Sequence, residues 1–123
     1  MAKYSFRYGD GTVDFEYPQE DVIKVLEPNK VEIPNKGEEE IIREAIENPI
    51  GSPKLEEIVK AGETVCIVVP DVTRLWAKPA VICKILVEKL NKIGVKDDDM
   101  LFISGVGTHR LQEKEDFINL IGE

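Results

Sequence analysis

The single histidine in the chain, His109, is the only side chain present whose free pKa makes proton transfer near neutrality easy. A lone histidine is usually structural or merely exposed, but this one follows Gly105-Val106-Gly107-Thr108 and precedes Arg110. Two glycines leave a backbone that can approach a ligand closely. A second polar group, Asp71-Val72-Thr73-Arg74, stands more than thirty residues earlier. Asp71 is of the type that orients an imidazole or stabilises its charged form, and its alternative use is to cap a helix or loop. Arg74 and Arg110 are planar forks suited to a carboxylate or phosphate, and either could instead form a surface ion pair of little value. If the two groups converge, two arginines, two threonines and two glycines on one edge make anion binding the economical reading.

Convergence depends on the elements around them. Val65-Cys66-Ile67-Val68-Val69 is an apolar run without alternation that breaks at Pro70-Asp71, and Met100 to Ser104 is a second such run. A helical pattern from Pro79 to Ile93 joins them, closed by Gly94, with Ile82, Leu86, Leu90 and Ile93 as its apolar stripe. Strands of this kind read as covered on both faces, and the arrangement as a right-handed parallel βαβ unit over residues 64–110. Neighbouring strands lie roughly 4.8 Å apart. The two polar loops would then leave the carboxyl edge of the sheet side by side, where open α/β sheets bind ligands.

The remainder is read as support for that unit. Tyr4, Phe6 and Tyr8, then Val13, Phe15 and Tyr17, alternate with polar residues around Gly9-Asp10-Gly11, which predicts a β-hairpin over residues 1–18. Five of the seven Phe and Tyr residues fall there, so its aromatic face needs a cover, and structural packing is preferred to a stacking platform for bases. A short helix is expected from Pro18 through Leu26, and another from Glu38 along Ile41, Ile42, Ala45 and Ile46. Ser52 is expected to cap a third that has Pro53 at its first position and ends at Ala61-Gly62. Glu113 to Ile121 completes the set as an amphipathic helix.

A length of 123 residues suits one domain, 1–123, of α/β class. Two strands alone would leave unpaired edges and poorly covered faces. Either the hairpin supplies the missing structure or the chain is the front part of a longer protein, and we expect the latter, an incomplete domain. A net charge of −8 with both signs interspersed argues against nucleic acid as the main partner. Nothing reads as a membrane span or signal peptide, so the cytoplasm is the default. Cys66 and Cys83 are expected to be inert core thiols. Asp97-Asp98-Asp99 lacks the further oxygen ligands of a calcium loop, and no metal ligand set is expected. The glycine spacing is no dinucleotide fingerprint, and a phosphate-binding lysine loop is absent.

The segments Asp71-Val72-Thr73-Arg74 and Gly105-Val106-Gly107-Thr108-His109-Arg110 resemble the paired D-x-T-R and G-T-H-R motifs of the nickel-pincer lactate racemase family. Glu47-Asn48-Pro49-Ile50-Gly51-Ser52-Pro53 is similar to the stretch that family carries before its first core strand. Leu75-Trp76 departs from the pattern, standing where many members have proline, which bears on the substrate. The resemblance implies a Rossmann-like N-terminal portion of a 2-hydroxyacid racemase or epimerase. It further implies a nicotinic-acid-derived, nickel-holding pincer nucleotide as cofactor, which takes up and returns a hydride at the substrate's α-carbon.

By the same resemblance His109 is one of two histidines that handle the hydroxyl proton. Asp71 and Arg74 lie near substrate and cofactor, Thr73 and Thr108 can serve as hydroxyl donors, and Gly107 and Arg110 belong to the binding edge. The second histidine, the cofactor-bearing lysine and the nickel ligand are expected in the rest of the racemase chain. A racemase needs an acid/base group on each face of its carbon, and one imidazole serves one face. The 123-residue piece is therefore expected to be inactive alone and to hold no cofactor by itself. The competing readings are a non-catalytic anion- or nucleotide-binding module and a structural fragment whose polar loops only cap helices.

Overall fold

A computed structural model describes residues 1–123, which form two compact units, Met1–Pro34 and Asn35–Glu123. In the first, β1 (Ala2–Tyr8) and β2 (Gly11–Tyr17) pair antiparallel with Tyr4 opposite Phe15 and Phe6 opposite Val13. Gly9 takes φ +59° in the tight turn, a conformation that costs glycine little. The Phe6 and Phe15 rings stack with centroids 5.2 Å apart. The helix expected from Pro18 to Leu26 is absent. One 3-10 turn, Gln19–Asp21, gives way to irregular chain, and Val22 to Leu26 line a hollow with Tyr4, Phe6, Phe15 and Tyr17. Nine residues before Pro28 barely exceed two turns, so helix nucleation is poorly repaid. The β-branched Val22, Ile23 and Val25 also favour an extended path.

The second unit holds the βαβ core. Strands β3 (Val65–Pro70) and β4 (Met100–Gly105) pair in parallel, from Val65 opposite Met100 to Pro70 opposite Gly105. The crossover helix, α3 (Pro79–Ile93), starts with proline in its first turn and stops at Gly94, as its sequence predicts. Helices α1 (Glu38–Glu47), α2 (Leu55–Ile58) and α4 (Lys114–Ile121) complete the unit. Helix α2 is shorter than expected and Ser52 does not cap it. Lys54 is the cap residue, and its N–H donates to the Glu57 carboxylate at 3.1 Å, so the turn closes two residues later. Lys89 of α3 bridges Glu47 of α1 and Glu56 of α2 at 2.7 and 3.0 Å.

Ile67, Val69, Cys83, Leu90 and Val95 form the core, with Leu55, Val59, Leu86 and Ile121 packed against it. All of these helical residues meet one face of the sheet. The other face, with Cys66, Val68, Leu101 and Ile103, is exposed. The expectation of a sheet covered on both sides is therefore corrected, and so is that of Cys66 as a core thiol. An unbroken apolar run records that both faces prefer burial, but within these 123 residues the helices suffice for one. Cys83 is buried as expected, and burial pushes its thiol pKa up.

Gly94 is held at φ +106°, and a Cβ added there would lie 2.7 Å from the Ala61 Cβ. Gly94→Ala is expected to destabilise the unit by about 1–3 kcal/mol. Urea unfolding monitored by circular dichroism checks this, and an unchanged midpoint would refute the close packing of α3's end on Ala61.

Candidate functional site

The two polar loops leave β3 and β4 side by side, as a parallel pair with a helical crossover requires. After Pro70 the chain turns into a 3-10 helix, Val72–Ala77, with Asp71 as its cap residue. Asp71 Oδ1 accepts from Thr73 N at 3.2 Å and from Thr73 Oγ1 at 2.6 Å. Thr73 Oγ1 in turn accepts from Arg74 Nη1 at 2.9 Å. After Gly105 the chain makes a turn closed by His109 N donating to Val106 O at 2.9 Å, with Gly107 at φ +56°. The need for glycine at 107 thus lies in the turn itself. That turn brings His109 Nδ1 into a hydrogen bond with Asp71 Oδ2.

Asp71 is only 4% exposed, whereas half of the His109 side chain faces solvent. The hydroxyl of Thr73 and then the imidazole of His109 hold the Asp71 carboxyl below its ordinary value of 3.8. It is an anion at neutral pH and can only accept. The neutral imidazole must therefore donate from Nδ1, which leaves Nε2 as the basic nitrogen. The cap and the imidazole-orienting role, alternatives in the sequence, are both filled by Asp71, one through each oxygen.

Four of the residues singled out in the sequence, Asp71, Thr73, Arg74 and His109, form one hydrogen-bonded chain. Gly107 shapes the turn, and Thr108 is exposed on it. Arg110 departs from the group: its guanidinium forks onto Asp116 of α4 at 2.5 and 2.9 Å, a pairing that raises the arginine's pKa and lowers the aspartate's. The same carboxylate accepts from Glu113 N at 2.8 Å, so this arginine is engaged in the start of α4. Sequence reasoning missed Gln112, whose amide touches both loops. Nothing in its type or spacing marked it. The cluster is an open shelf. A 610 Å³ hollow lies elsewhere, among Arg43, Glu47, Glu56 and Lys89, whose charges already pair with one another or with Glu88. No three or more His, Cys, Asp or Glu side chains gather as a metal set.

Because the folded-state pKa of Asp71 is depressed, its contribution to stability is present above the unfolded-state value and is lost as pH falls through the folded one. The parent is expected to lose more stability than Asp71→Asn as pH falls below about 4, the unfolded-state value. Urea midpoints across that range, compared between the two proteins, isolate Asp71 from the other depressed carboxylates. Parallel curves would show that the carboxylate is not held by Thr73 and His109.

The lactate racemase N-terminal domain model matches residues 8–123, nearly the whole chain and both motif loops. The chain belongs to the lactate racemase N-terminal domain family. It is 27% identical over 124 aligned positions, spanning all of this chain, to a lactate racemase from Lactiplantibacillus plantarum. It is 32% identical over 78 positions, 60% of this chain, to one from Thermoanaerobacterium thermosaccharolyticum. The matches cover 29% and 18% of those relatives, so the chain spans less than a third of their length. The lactate racemase apoprotein structure from T. thermosaccharolyticum superposes on 99% of this chain and 27% of its own, with a TM-score of 0.70 at 23% identity. That likeness establishes a shared fold: the antiparallel hairpin and the parallel βαβ sheet are those of a lactate racemase N-terminal portion. No helix is long and apolar enough to cross a membrane.

Proposed function

We propose that this chain supplies one half of the active site of a 2-hydroxyacid racemase or epimerase, an isomerase, with His109 as the acid/base group on one face of the substrate carbon. The observation that carries the reading is the hydrogen bond between His109 Nδ1 and the buried Asp71 carboxylate, on a loop that also carries Arg74. Asp71 fixes the tautomer, so that Nε2 can take the proton of a substrate hydroxyl and return it. Arg74, steadied by Thr73, offers a planar fork to the substrate carboxylate or to an anionic part of the cofactor. Thr108 and the Gly107 backbone border the same space.

The family's nickel-holding pincer nucleotide, when bound, supplies uptake and return of hydride at the α-carbon. The shelf fits part of that group. A guanidinium and hydroxyls suit its anionic portions, whereas one imidazole and one engaged carboxylate are no nickel ligand set. The metal is assigned to the rest of the racemase chain, as are the second acid/base group and the cofactor tether. On this reading the 123-residue piece alone neither holds nickel nor turns over substrate.

The decisive experiment is a nickel determination and chiral-product assay on the complete protein, across lactate, malate and sugar acids. Conversion of one configuration into a mixture, dependent on bound nickel, is expected for at least one of them. A nickel-loaded protein that interconverts none would overturn the proposal. A second reading, a non-catalytic anion-binding module, draws on the exposed Arg74 guanidinium. Both readings predict that millimolar sulfate shifts the NMR signals of Arg74, Thr73 and Gly107, and no change there would remove the anion site. Sulfate binding together with failure of the chiral assay selects the module.

A further inference from the structure

Gln112 lies just past His109 and is half-buried between the two loops. Its Oε1 accepts from Val72 N at 3.3 Å, and its Nε2 donates to Arg110 O at 3.1 Å. The first of these bonds reaches across to the loop that starts at β3. The second fixes the backbone one residue after His109. Val72 follows Asp71 directly and is the first residue of the 3-10 helix, so its N–H is one of those a helix start leaves without a partner inside the helix. Thr73 N is satisfied by the Asp71 side chain and Arg74 N by Asp71 O, at 3.2 and 3.0 Å. Gln112 satisfies the remaining one from the opposite loop.

The His109 to Asp71 contact therefore spans two segments that the Gln112 amide also holds in register. On the far side Arg110, anchored to Asp116, ties the same stretch to α4. The imidazole is bracketed by fixed backbone although half of it faces solvent. An exposed ring on an unbraced loop would sample other rotamers and the other tautomer, because hydrogen bonds to water compete with the one to Asp71.

We propose that Gln112 is a positioning residue for His109, its amide locking the two loops at the separation that keeps Nδ1 on Asp71 and leaves Nε2 free. The consequence for turnover rests on the acid/base role given to His109 above, but the consequence for the ring does not. Because this chain has one histidine, the ring nitrogens of the untagged 123-residue protein can be read by ¹⁵N NMR without overlap, at a pH where the ring is neutral. The parent is expected to show the Nδ1–H tautomer in large excess. Gln112→Met keeps the length and apolar body of the side chain and removes both hydrogen bonds. It is expected to lower that excess about two- to tenfold, the value of one hydrogen bond. An unchanged ratio in the folded variant overturns the proposal.

Hydrogen exchange in the parent supplies a test that needs no variant. The Val72 amide should be protected to the degree of Thr73 and Arg74, and exchange at the rate of free chain overturns the brace. In the complete racemase, Gln112→Met should lower kcat with little change in KM, since the substrate-binding groups stay in place. A tautomer shift with no loss of turnover leaves the brace intact and removes His109 from the chemistry, so the two readings fail separately.

Discussion

If His109 is the proposed acid/base group, replacing it with alanine in the full-length protein is expected to lower the rate of 2-hydroxyacid racemisation by about 10²–10⁴-fold, the contribution of a positioned proton-transfer group. The fold should persist. His109 sits on a loop, half of its side chain faces solvent, and it belongs to no core cluster. Asp71 keeps both hydrogen bonds from Thr73 when the ring is gone. Circular dichroism and thermal melting should therefore track the parent while chiral chromatography shows the loss. Because a variant cannot shift the equilibrium between the two configurations, kcat/KM should fall by the same factor in both directions, and both are measured. Parent-like turnover in both would remove the catalytic assignment, leaving the Asp71 and His109 pair as a structural clasp between loops.

The largest stability effect is expected at Leu90. It is 1% exposed, lies on the crossover helix, and packs with Ile67, Val69, Cys83 and Val95. Leu90→Ala should cost about 2–5 kcal/mol, the transfer and cavity terms together. In a unit of this size that lowers Tm by more than about 8 °C. Because α3 is the helix that backs both strands, its loosening should also weaken the contact between the loops, visible as faster exchange of the Val72 and His109 amides. Val68→Ala in the same strand run is the contrasting case. Val68 is 70% exposed on the open sheet face, and its truncation in this 123-residue chain should change stability by no more than about 0.5 kcal/mol. Equal effects at the two positions would contradict the one-sided core.

That contrast marks where sequence reading stops. Val68 and Val69 are the same residue type in the same strand, and only packing makes one core and the other surface. The helix from Pro79 to Ile93 was legible because its start and stop are chemical signals, proline in the first turn and glycine after the last. Convergence of the loops was legible for a geometric reason: two apolar runs joined by a helix pair in parallel and deliver their ends to one edge. The path of Val22 to Leu26 was not, since a segment of two turns is decided by what it packs on.

The same division runs through the shelf. Residue types alone determined that Asp71, Arg74 and His109 could work as carboxylate, fork and proton carrier, and that a βαβ unit would bring them to one place. Tertiary structure alone decided that Arg110 turns to Asp116 while His109 turns to Asp71, and that Gln112 spans the gap between loops. Adjacent side chains leave the backbone in different directions, and a hydrogen bond between distant segments exists only when both ends have been placed within about 3 Å of each other. Such placement is a property of the folded whole, which no local pattern of residues encodes.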